Sequence, residues 1–165
     1  MMTLAEVNTL SPAAFEADFG DVAEHSPWVA RLAAMARPFA TPDTMVLAFA
    51  GALASAPRER QMALIRAHPD LATKAKLTED STREQAGAGL NSLSPEEFAR
   101  FTRLNEAYKT KFEFPFIFAV KGATKHQVLD GFEERLNHTA ADEFAMALTQ
   151  ICRIFRFRIE DRVSP

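Results

Sequence analysis

Apolar residues recur along most of this chain at steps of three and four, the spacing that lines one face of a helix. Trp28, Leu32 and Met35 form one stripe, Met45, Phe49 and Leu53 a second, and Phe98, Phe101, Leu104 and Tyr108 a third. The punctuation between stripes is of one kind. Ser11-Pro12, Ser26-Pro27, Thr41-Pro42 and Ser94-Pro95 each set a capping hydroxyl ahead of a proline whose fixed φ suits the first helical position. Ser94 with Glu97, and Thr124 with Gln127, complete capping boxes, and Ser81 with Glu84 has the same spacing. Gly20, Pro38, Pro57, Pro69 and Pro115 end the patterns. The pattern predicts helices over 12–18, 27–37, 42–55, 58–67, 81–87, 95–112, 125–137 and 139–162.

One segment departs from this periodicity. Phe114-Pro115-Phe116-Ile117-Phe118-Ala119-Val120 is apolar on every side, too short for a helix, and has no second strand candidate to pair with. It is expected to run as a buried extended or single-turn connection whose main-chain N–H and C=O groups must find other partners or a ligand. With no repeat and no linker, the expected fold is all-α. It is a single compact domain over residues 1–165, with about eight helices and no significant sheet.

Composition narrows the function. The 165 residues are 47% hydrophobic with a formal net charge of -3, which disfavours nucleic acid, since phosphate binding needs a concentrated basic face. No apolar run approaches the roughly 20 residues that span a bilayer. The first ten residues carry Glu6 and no base, unlike a secretory signal, and the chain ends Val163-Ser164-Pro165, which is no peroxisomal address. A single cysteine, Cys152, precludes an internal disulfide and fits a reducing compartment, so a cytoplasmic protein is expected. His25, His68, His126 and His138 form no ligand-spaced pair, so no metal site is expected. Gly87-Ala88-Gly89 falls short of a dinucleotide fingerprint, and Cys152, mid-helix among Ile151, Ile154 and Phe155, reads as an inert thiol.

The chemistry concentrates in His68-Pro69-Asp70-Leu71-Ala72 and Ser81-Thr82-Arg83-Glu84-Gln85. Pro69 biases His68 out of the α region and sets an imidazole, which titrates near neutrality, at a fixed helix end. By itself such a histidine is as readily a helix-terminal side chain bonding a carbonyl, and Ser81 with Glu84 a plain cap. Arg158 is the odd charge: Phe144, Leu148, Ile151, Phe155 and Arg158 follow one another at helical steps, so a guanidinium lies on an apolar stripe while Arg156 faces elsewhere. Buried there, it needs a carboxylate, Glu84 or another, or an anionic ligand. An acid/base, a carboxylate, an amide, a guanidinium and a dry wall suit proton transfer on a small polar heterocycle. A non-enzymatic helical module that binds a heterocycle or a partner peptide would use the same groups.

His68-Pro69-Asp70-Leu71-Ala72, Ser81-x-x-Glu84-Gln85 with Ala88-Gly89-Leu90, Leu104-Asn105-x-x-Tyr108-x-x-Lys111-Phe112, Phe114-Pro115-Phe116-Ile117 into Val120-Lys121-Gly122, Arg135-Leu136 and Ile154-x-x-x-Arg158 occur in that order. Together they resemble the 2-oxo-4-hydroxy-4-carboxy-5-ureidoimidazoline (OHCU) decarboxylases of urate breakdown, from about residue 10 to 162. Thr73 and Glu113 stand where that family usually has glycine. The resemblance implies an all-helical, cofactor-free carboxy-lyase, a homodimer, that makes (S)-allantoin from a small ureidoimidazoline. It implies His68 as the catalytic acid/base, with Glu84 and Arg158 as further catalytic or orienting groups. Pro69, Ser81, Thr82, Arg83, Gln85 and the run Phe116, Ile117, Phe118, Ala119 and Val120 would contact substrate.

Overall fold

Thr3, Ser11, Thr41, Thr78, Ser94 and Thr124 each accept, on a side-chain oxygen, the N–H three residues further on, and a helix starts directly after each. The computed structural model of the chain describes residues 1–73 and 77–165. Among these the helices are α1 (Leu4–Thr9), α2 (Pro12–Phe19), α3 (Trp28–Ala33), α4 (Pro42–Ala54), α5 (Arg58–Ala67), α6 (Glu79–Gly87), α7 (Pro95–Phe112), α8 (Lys125–Arg135) and α9 (Ala140–Glu160). A 3-10 turn over Ala34–Ala36 extends α3. The β structure among the described residues is one two-residue parallel ladder, with Met2 opposite Val163 and Thr3 opposite Ser164. The fold is all-α.

The differences from the pattern-based boundaries have local causes. α1 lacks the Ser/Thr-Pro punctuation of its neighbours, and its start is carried by a Thr3–Glu6 capping box. Ser26 does not cap α3. Its hydroxyl donates to the Glu24 carbonyl at 2.9 Å, and Pro27 already has helical dihedrals. The capping box expected from Ser81 and Glu84 is also overturned. Thr78 caps α6, with Glu79 and Asp80 in the first turn where the helix dipole favours acids, so Ser81 lies inside the helix.

The chain packs as two units, residues 1–67 with 151–165, and residues 68–150. The first is built on Phe15, whose ring centroid lies 5.0 Å from Phe19 and 6.2 Å from both Phe39 and Phe49, while Phe49 meets Phe155 edge-on at 5.9 Å. Asn8 clamps Phe39 from both sides of its amide: Nδ2 donates to the Phe39 carbonyl and Oδ1 accepts its N–H. The second is built on Phe101, Tyr108, Phe116 and Phe132, all buried. Phe116 stacks on Phe132 with centroids 3.7 Å apart, and Tyr108 meets Phe116 edge-on at 5.2 Å. As expected, residues 115–120 form neither helix nor strand.

α7 hands over to that segment through Glu113, which closes the helix at φ 63°, ψ 22°, in the left-handed region. A Cβ there crowds the following carbonyl, and glycine relieves this. Glu113→Gly is therefore expected to raise unfolding free energy by about 0.5–1 kcal/mol, the relief offset in part by the entropy glycine adds to the unfolded chain. Urea denaturation compares the two proteins.

Candidate active site

The chain leaves α5 at Ala67 and turns at His68, which is buried with 9% of its surface exposed. The imidazole expected at a fixed helix end is thus a buried one. Three side chains hold the residues after it. Lys109 Nζ sits 2.6 Å from Asp70 Oδ2, Asn105 Nδ2 donates to the Leu71 carbonyl at 2.9 Å, and Gln85 Oε1 accepts the Ala72 N–H at 2.9 Å. Ala72 has φ 57°, so the last of these bonds secures a left-handed residue. Asn105 Oδ1 is buried with no hydrogen-bond partner among the described residues.

α6 sorts the residues expected to bind substrate by face. Ser81 and Gln85, one turn apart, are buried, and Glu84 and Pro69 are half-buried. Thr82 and Arg83 are exposed, and Arg83 pairs with Asp80 at 2.5 Å. In the apolar segment Phe116, Ile117, Ala119 and Val120 are buried and Phe118 is half-buried. Phe118 lies over Gly131, where an added Cβ would come within 2.9 Å of its ring.

The main chain of this segment is held by side chains in place of a ladder. Arg135 Nη1 donates to the Ile117 carbonyl at 2.6 Å, and Gln150 Oε1 accepts the Ala119 N–H at 2.9 Å. Arg135 lies 4.3 Å over the Phe116 ring and pairs through Nε with Glu143 Oε1 at 2.8 Å. Glu143 has no exposed surface; it also accepts the Tyr108 hydroxyl at 2.5 Å and faces His138 Nδ1 at 2.9 Å. Burial, reinforced by the Glu143 bond, pushes the Tyr108 phenol above its ordinary range, so it remains a donor.

Arg158 belongs to the first unit and is 2% exposed. Its Nη1 pairs with Glu24 Oε2 at 2.8 Å and reaches the Val22 carbonyl at 3.3 Å. Arg156 faces outward, pairing with Asp43 at 2.6 Å and Glu160 at 3.3 Å. The helical register read from the sequence thus holds, and Glu24 is a carboxylate that meets Arg158. Cys152 is half-buried, and burial pushes its thiol pKa up.

A cavity of about 460 Å³ opens beside Ala72, Thr73, Leu90, Asn91, Ser94 and Phe98. None of the described residues that line it is ionisable. Among the described residues no group of three His, Cys, Asp or Glu is placed to hold a metal, and no helix is long and apolar enough to cross a membrane. The acid/base candidate is His68.

The sequence pattern of the family described as OHCU decarboxylase matches residues 8–160. The chain belongs to that family. It is similar to the 2-oxo-4-hydroxy-4-carboxy-5-ureidoimidazoline decarboxylase of Haloferax volcanii, at 41% identity over 99% of this chain and 97% of that protein. It is 39% identical to the uric acid degradation bifunctional protein PucL of Bacillus subtilis, over 99% of this chain but only 33% of that longer protein. A solved structure of (S)-allantoin synthase superposes with a TM-score of 0.81 at 30% identity, covering 98% of this chain and 54% of that one.

In this OHCU decarboxylase family member, Glu143 and Gln150 escaped sequence reasoning, and Asn105, Tyr108 and Arg135 were matched without a role. The signal for two of them was present. Glu143, Ala147, Gln150, Ile154 and Arg158 follow at helical steps along α9 and all are buried, so the test that singled out Arg158 applies equally to Glu143 and Gln150.

The Glu143 cluster should dominate the stability of its unit. Tyr108→Phe is expected to cost about 1–3 kcal/mol, the penalty of a buried acceptor losing one donor. Glu143→Leu strands a buried guanidinium and should cost about 3–5 kcal/mol. Equal losses in guanidinium titrations would mean that the charge pair is not what organises the cluster.

Proposed function

We propose that this chain converts 2-oxo-4-hydroxy-4-carboxy-5-ureidoimidazoline to (S)-allantoin in urate catabolism, without a cofactor, with His68 as the acid/base. The observation that carries the reading is a buried imidazole, followed by a corner that Gln85, Asn105 and Lys109 hold, in a chain of this family. The names of the relatives from Haloferax volcanii and Bacillus subtilis support the substrate class, a product of uric acid breakdown. The resemblance further supports a homodimer in the cytoplasm, with no nucleic acid or membrane partner.

The substrate supplies its own electron sink. When the bond from the ring carbon to the carboxylate breaks, CO2 departs and the electron pair moves toward the neighbouring C=N. The pair forms a C=C bond between the two ring carbons, and the C=N nitrogen takes a proton. A proton delivered to one face of the ureido-bearing carbon, with loss of the hydroxyl proton as the neighbouring C–OH becomes C=O, then completes the product. The protein has to orient the carboxylate out of the ring plane, remove its water and deliver that proton stereospecifically. His68 supplies the proton transfer. Glu84 sets the imidazole tautomer or holds the ureido group, and Arg158 binds ring or ureido oxygens with its planar fork. The Gln85 carbonyl oxygen is engaged by Ala72, so its amide donors are the end that serves substrate. Ser81, Pro69 and the Phe116–Val120 main chain line the ligand, with Thr82 and Arg83 at its rim.

His68→Asn should lower turnover by about 10²–10⁴-fold while the far-UV spectrum stays helical. Freshly generated substrate, followed by circular dichroism with and without protein, checks both the rate and the hand of the allantoin. Activity above a tenth of wild type would falsify the assignment.

Arg158→Lys keeps the charge but loses the fork that can bind two oxygens. It is expected to reduce kcat/KM by at least about tenfold, as a lost bidentate contact does. Arg156→Lys, on the outer face, should change little. Parallel steady-state kinetics decide this, and the reverse ranking would remove Arg158 from the site.

A further inference from the structure

Residues 115–120 belong to no ladder, so their amide groups depend on partners supplied from elsewhere. Two of those partners are side chains at least nine-tenths buried: Arg135 is 6% exposed and Gln150 is 7% exposed. Arg135 Nη1 holds the Ile117 carbonyl and Gln150 Oε1 holds the Ala119 N–H. The two bonds fix the main chain of the segment at Ile117 and at Ala119. Arg135 cannot swing away, because Glu143 holds its Nε and Phe116 lies beneath its plane. Tyr108, in a family motif without an assigned role, completes the arrangement by holding Glu143.

We propose that Arg135 and Gln150 are positioning residues for substrate binding, acting through the main chain of Ile117 and Ala119 on the face that Phe116–Val120 presents to substrate. The inference rests on the reading of that segment as substrate-lining. It predicts an effect on KM. The proton chemistry at His68 is left unchanged.

The test uses full-length Gln150→Met, which keeps side-chain length and loses the acceptor, beside Gln150→Glu, which retains an acceptor. Gln150→Met should raise KM by about five- to tenfold with kcat within about threefold, the pattern of lost binding common to ground and transition states. The pH profile of kcat should not move, Gln150→Glu should recover most of the affinity, and the Ala119 amide should exchange faster with solvent in Gln150→Met alone. Arg135→Lys, which keeps a cation for Glu143 but loses the second donor, should raise KM in the same way. It decides the matter if Gln150→Met does not fold. A wild-type KM in the folded variants, or a loss confined to kcat, overturns the proposal. An inactive wild-type protein fails the decarboxylase reading itself and is recognised before any variant is compared.

Discussion

A carboxylate with no access to water governs the second unit. Glu143 is fully enclosed, and a charge so placed is tolerated only when close donors replace the solvent it has lost. Tyr108 from α7, Arg135 from the end of α8 and His138 just beyond it supply them. The consequence passes along the chain in one direction. Glu143 on α9 fixes Arg135, Arg135 fixes the Ile117 carbonyl, and the apolar segment is thereby held without a sheet. Phe116, stacked on Phe132 and beneath the guanidinium, keeps water from competing for these bonds. Helix packing here is subordinate to the satisfaction of one ion.

The His68 corner is held similarly, its Asp70 side chain by Lys109 and its main chain by neutral amides. His68-Pro69-Asp70-Leu71-Ala72 runs without helix or ladder, and its amides are engaged by Gln85 and Asn105 from the helices beside it. Gln85 and Gln150 are thus alike in structural role, each an amide oxygen receiving the N–H of an alanine in irregular chain. Both parts of the expected site in this unit are loops held by helix-borne amides, which gives irregular backbone the definition a regular element would have.

How much of this could be read from the chain follows from the range of the interactions. Caps act over three residues, so Ser11, Thr41, Ser94 and Thr124 announce their helices correctly. Where two hydroxyls compete within four residues, as Thr78 and Ser81 do, spacing alone chose the wrong one. Arg158 was legible as an inward charge because helical periodicity is local, but Glu24 as its partner was not, since the two are 134 positions apart. That residues 115–120 form neither helix nor strand was legible from an absence of periodicity. Their partners, 18 and 31 positions further along, were not. The parallel ladder of Met2–Thr3 with Val163–Ser164 left no trace, because two residues are too few for an alternation.

Cys152 carries a consequence of another kind. It is the only sulfhydryl in the chain, half-covered on α9, and burial keeps it in the unreactive protonated form. A disulfide-exchange reagent such as Ellman's therefore meets one slow site in the native protein. Its rate of colour development reports how often α9 lifts away from its neighbours, a clock for local opening that needs no added label.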